Sequence, residues 1–107
     1  MPHRLLYVTA PSIDIAQTIA RDLLEARLIA CANILPGMLS IYRWDGVIQE
    51  ESEVVLLAKT VASQVESAIA RIKALHPYDC PCIISLEMKD GFPPFLNWIS
   101  DETCPAN

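Results

Sequence analysis

Two long extended runs meet at Asp45-Gly46, and that junction constrains the chain more than any other feature. A type I′ turn needs positive φ at both central residues, which Asp-Gly supplies, so the dipeptide predicts a tight hairpin. Leu39 and Ile41 alternate with Ser40 and Tyr42 on the way in. The return arm starts at Val47, crosses the acidic Gln49-Glu50-Glu51-Ser52-Glu53 stretch and becomes apolar from Val54 to Ala58. The incoming arm begins near Ala30 and is interrupted by Pro36-Gly37, where a bulge or bend is expected. Both arms exceed the usual strand length of about five or six residues. The tip is therefore expected to project beyond its sheet.

The flanking segments supply that sheet. Leu5 to Thr9 is a short apolar run stopped by Pro11, which predicts a buried strand. Ser12 offers an N-cap hydroxyl and Asp14 a first-turn carboxylate. Ile13, Ala16, Ala20, Leu23 and Leu24 then recur at helical spacing, so an amphipathic helix is expected to reach about Leu28. Ser63 and Glu66 have the spacing of a capping box, followed by the apolar stripe of a second helix. That helix must stop before Pro77. Cys82 to Met88 predicts a fourth strand ended by Asp90-Gly91, and Pro93-Pro94 suit the first turn of a short terminal helix. The order βαββαβ, with right-handed crossovers, predicts an α+β ferredoxin-like domain spanning residues 1–107 as one unit.

Composition narrows the functional classes. Apolar residues make up 52% of the chain, more than so small a domain needs for its own core, so a subunit interface is expected. No stretch approaches the roughly 20 apolar residues of a spanning helix, and Met1 to Pro11 lacks the apolar region of an export signal. No membrane association and a cytoplasmic location are the expectations. A net charge of −5 argues against nucleic acid, whose phosphates call for a basic face.

The three glycines, Gly37, Gly46 and Gly91, are too far apart for a phosphate-binding loop. No nucleophile motif accompanies His3 or His76, so catalysis is not expected. Cys31 reads as a small core residue. The densest set of donors is His76-Pro77-Tyr78-Asp79-Cys80-Pro81-Cys82. Imidazole and thiolate together suit copper or zinc, which makes His76, Cys80 and Cys82 the candidate metal residues. The alternative is a rigid turn in which Tyr78 packs and the thiols are idle. Glu50, Glu51 and Glu53 are expected to form a solvated edge. Tyr42, Trp44 and Trp98 are expected to pack at the hairpin or between subunits.

Several stretches together resemble the CutA divalent-cation-tolerance family. They are Thr9-Ala10-Pro11, the run from Leu28 to Gly37, Ser40-Ile41-Tyr42-Arg43-Trp44-Asp45-Gly46, Glu51-Ser52-Glu53-Val54, Lys59-Thr60, His76-Pro77-Tyr78 and Leu96-Asn97-Trp98-Ile99. The resemblance implies a ferredoxin-like subunit in a homotrimer, similar in architecture to nitrogen-regulatory signal proteins, with hairpins extending onto neighbouring subunits. It also implies tolerance to divalent metals, copper above all, and no established reaction. A copper role carries over to His76 alone. Leu75 stands where some members have a second histidine, Val8 where some have a cysteine, and Cys82 where Glu is common. A small-molecule signalling trimer and a purely structural trimer are the other readings.

Overall fold

The computed structural model describes residues 2–104. Its elements are β1 (His3–Ala10), α1 (Ile13–Glu25), β2 (Cys31–Trp44), β3 (Val47–Val61), α2 (Ala62–Leu75), β4 (Ile83–Met88) and α3 (Pro93–Glu102). The strands form one antiparallel sheet in the order β2-β3-β1-β4. This is the interleaved arrangement expected of a ferredoxin-like chain.

Strand side chains alternate between faces, and the register shows which residues go where. Leu6 and Val8 lie opposite Ala58 and Leu56, and all four are fully buried. They pack with Ile19 and Leu23 of α1 and Ala68 and Ile72 of α2 into the main core. The other face carries Leu5, Tyr7 and Thr9, opposite Lys59, Leu57 and Val55. At one end of that face, Ile99 and Leu96 of α3 pack with Val61 and Met88. Among the described residues, no helix covers the rest of it.

Ser12 caps α1 as expected, its hydroxyl accepting from the Ile15 amide at 3.2 Å. The helix nevertheless ends at Glu25, short of Leu28. Arg27 takes φ 57°, its amide donating to the Leu24 carbonyl and that of Leu28 to the Leu23 carbonyl. This is a Schellman stop with arginine where glycine is usual. The Ser63–Glu66 capping box does not form. β3 runs directly into α2, the N-cap is Val61 with no side-chain bond, and the Ala62 amide donates to the Pro2 carbonyl instead. Buried Val61 and the Thr60 hydroxyl, which donates to the Leu28 carbonyl at 2.7 Å, pin the strand end and start the helix two residues early. Cys31 also departs from expectation. It is only partly buried, at the start of β2 opposite Lys59, on the face away from α1 and α2.

The hairpin turn forms at Asp45 and Gly46, with φ 53° and 79°. Between Leu35 and Met38 the incoming arm gains one residue over its partner, because Leu35 pairs with Val55 and Met38 with Glu53. Gly37, at φ 78°, supplies the left-handed geometry of that bulge. The arms run on past it, and the molecule measures 46 Å along its longest axis against 27 and 22 Å across.

Candidate functional site

Beyond the bulge, the hairpin pairs place Ser40 with Glu51 and Tyr42 with Gln49. Period-two alternation therefore keeps Gln49, Glu51 and Glu53 on one face while Glu50 and Ser52 point to the other. That face continues the unhelixed side of the sheet. The loop after α2 approaches it from β4, and the two enclose an open cleft of about 680 Å³. Tyr7 and Thr9 form its floor, Tyr42, Trp44, Glu51 and Glu53 its hairpin wall, and Tyr78, Asp79, Cys80 and Cys82 its loop wall.

His76 holds the loop in place. It is the C-cap residue of α2 and only 7% exposed. Its Nε2 lies 2.7 Å from the Thr9 carbonyl oxygen, and its Nδ1 accepts the Tyr78 amide at 3.2 Å. An Nδ1 that accepts leaves the proton on Nε2, which donates to Thr9. Both ring nitrogens are thus engaged within the fold. Pro77 fixes the exit from the helix, because a residue before proline avoids helical geometry.

Tyr78 packs on the His76 ring, with centroids 4.7 Å apart, and its hydroxyl donates to Oε2 of Glu53 at 2.9 Å. Burial and the bond to Glu53 push the Tyr78 phenol well above its ordinary value near 10. The hydroxyl therefore stays protonated and keeps donating. Glu53 is itself 7% exposed. The expected solvated edge holds for Glu50 and Glu51, which are exposed, and fails for Glu53, because the strand's alternation turns it under the loop. Burial raises the Tyr42 phenol as well, with Glu51 nearby adding to the shift.

Of the three metal candidates, Cys80 is exposed and Cys82 partly buried, and both line the cleft. Burial pushes the Cys82 thiol up and Glu53 adds to the shift, while a hydrogen bond with the Thr9 side chain opposes it. His76 lies behind the loop with its nitrogens occupied. Among the described residues, no three His, Cys, Asp or Glu side chains are gathered closely enough to hold a metal ion. The structure thus puts the two thiols on the cleft, while both nitrogens of the imidazole are engaged with Thr9 and Tyr78.

Tyr42 and Trp44 wall the cleft, whereas Trp98 sits on α3 against Phe95, with centroids 5.6 Å apart. Sequence reasoning missed Thr9, read Glu53 as a solvated edge, and anticipated that Tyr78 packs in the turn but not its bond to Glu53. The adjacency of His-Pro-Tyr to a strand end was a signal for the loop. Nothing local could have signalled that Glu53 lies beneath it.

Residues 4–102 match the family model described as CutA1 divalent ion tolerance protein. The chain is 43% identical over 99 residues to the divalent-cation tolerance protein CutA of Thermus thermophilus, covering 92% of this chain and 96% of that one. It is 42% identical to a Protein CutA homolog of Xenopus laevis, over 89% of this chain and 63% of that longer one. Among solved structures, the Thermus thermophilus divalent cation tolerance protein superposes with a TM-score of 0.93 at 42% identity, covering 95% and 99% of the two chains. CutA1 of Oryza sativa superposes with a TM-score of 0.94 at 34% identity, covering 99% and 97%.

Proposed function

We propose, for a chain that belongs to the CutA1 divalent ion tolerance family, a homotrimer that serves cation tolerance by binding copper at the mouth of the cleft, without catalysing a reaction. The observation that carries this reading is the unhelixed face of the sheet. Leu35, Ile84 and Leu86 are each about half exposed there, in line with Leu5 and Leu57. A contiguous apolar band of this kind marks an interaction surface. On the reverse side of the hairpin, Leu39, Ile41 and Ile48 are 60–63% exposed, beyond the reach of the chain's own helices. Other copies of the chain are the occupants this reading assigns to both surfaces.

For the metal, Cys80 and Cys82 are the donors of choice, because thiolate sulfur prefers soft ions such as Cu(I). A reducing compartment, the cytoplasm in this reading, keeps such thiols free. His76 acts as a positioning residue. Ligation by its ring would cost the bond to Thr9 or to Tyr78, so the imidazole does not fit a first ligand as it stands.

The test combines mass in solution with Cu(I) titration of wild type, His76→Ala and the Cys80→Ser/Cys82→Ser double variant. A trimer whose copper binding disappears in the double variant and is only weakened in His76→Ala agrees with the proposal. A monomer, or undiminished binding without the two thiols, overturns it.

A further inference from the structure

The cleft has a composition that suits neither a nucleotide nor a bare metal ion. Its volume of about 680 Å³ lies within the range of small-molecule sites. Four aromatic residues line it, Tyr7, Tyr42, Trp44 and Tyr78, and three carboxylates, Glu51, Glu53 and Asp79. Among the described residues no Lys, Arg or His lines it, so a phosphate would find no cationic partner and three carboxylates around it. The carboxylates are spread around the walls rather than gathered on one point, as an inorganic cation would require.

Glu53 sharpens the argument. It is more than nine-tenths buried, and Tyr78 satisfies only Oε2. Oε1, the other carboxylate oxygen, is not enclosed and opens to the cleft that Glu53 lines. A carboxylate oxygen held in place by the Tyr78 bond and open to the cleft is placed to pair with a cation that a ligand brings.

We propose that this cleft binds a small organic ammonium compound, its charge seated against Glu53 and Glu51 and its carbon substituents against the faces of Tyr42, Trp44 and Tyr78. Aromatic faces attract an alkylated cation through the ring quadrupole, and carboxylates set its position. The thiols to which copper is assigned lie on the loop wall of the same cleft, across from Trp44 and Glu51 on the hairpin wall.

The experiment is calorimetric titration of the full chain, in whatever oligomer it forms, with choline chloride and with putrescine at constant ionic strength. ATP and magnesium chloride are titrated in parallel. Saturable binding of either amine, at least about tenfold tighter than ATP or magnesium, is the expected result. Choline alone would show that the aromatic faces dominate, and putrescine alone that the carboxylates do; both agree with the proposal. Binding should fall at least about tenfold in Trp44→Ala and in Glu53→Gln. Exposed Glu51→Gln keeps the test decisive if Glu53→Gln does not fold. Amine binding in protein that takes up no Cu(I) separates this site from the copper reading. No saturable binding of either amine, or binding unchanged in both Trp44→Ala and Glu51→Gln, overturns the proposal.

Discussion

His76 bridges α2 to β1, so removing its ring releases the Thr9 carbonyl and the Tyr78 amide together. Each buried polar group left unpaired costs about 1–3 kcal/mol. We predict that His76→Ala lowers unfolding free energy by about 2–3 kcal/mol in a denaturant titration, whether or not metal is present. Tyr78→Phe removes the donor to Glu53 and should cost about 1–2 kcal/mol at neutral pH, less than for a fully enclosed pair because Tyr78 is partly exposed. Its pH dependence has a definite sign. The phenol is raised in the fold, so its contribution is complete below the ordinary tyrosine value of 10 and fades as pH rises beyond it. The stability gap between wild type and Tyr78→Phe should therefore be flat below pH 10 and narrow above it. A gap that widens above pH 10 contradicts this.

Helix ends give the predictions that belong to single elements. Arg27 sits at a left-handed φ of 57°, where a β-carbon is strained, and its side chain makes only an exposed 3.3 Å bond to the Glu102 carbonyl. Arg27→Gly should stabilise by about 0.5–1 kcal/mol, read as a raised thermal midpoint. Ser63 lies inside α2 rather than at its cap. Ser63→Ala should accordingly change stability by less than about 0.5 kcal/mol, with alanine the better helix former. A loss near the roughly 1 kcal/mol of a true cap would show that Ser63 caps in solution. At the hairpin, Asp45-Gly46 was legible because a two-residue turn dictates its own φ values. The capping box misled because its spacing carries no information about where the preceding strand ends.

At the scale of the whole molecule, one sheet face is covered by α1 and α2, and the other is largely uncovered by the described residues. Charge placed on the open face should therefore act on assembly rather than on folding. Leu86→Glu, at a residue 49% exposed, is expected to reduce the mass in solution to that of a smaller species while leaving the circular dichroism spectrum unchanged. Unchanged mass would remove that face from the interface. Element order, sheet class and hairpin were determined by the sequence itself, since turn chemistry, capping and periodicity act over a few neighbouring residues. The site was decided only in three dimensions. His76 and Thr9 are 67 residues apart, and Tyr78 and Glu53 are 25 apart. A donor-rich segment declares which ligands it could offer, but only packing decides which nitrogen is already taken and which carboxylate lies beneath the loop. The tertiary structure thus engaged both ring nitrogens of His76 within the fold and turned Glu53 from an expected solvated edge into a buried side chain of a cleft.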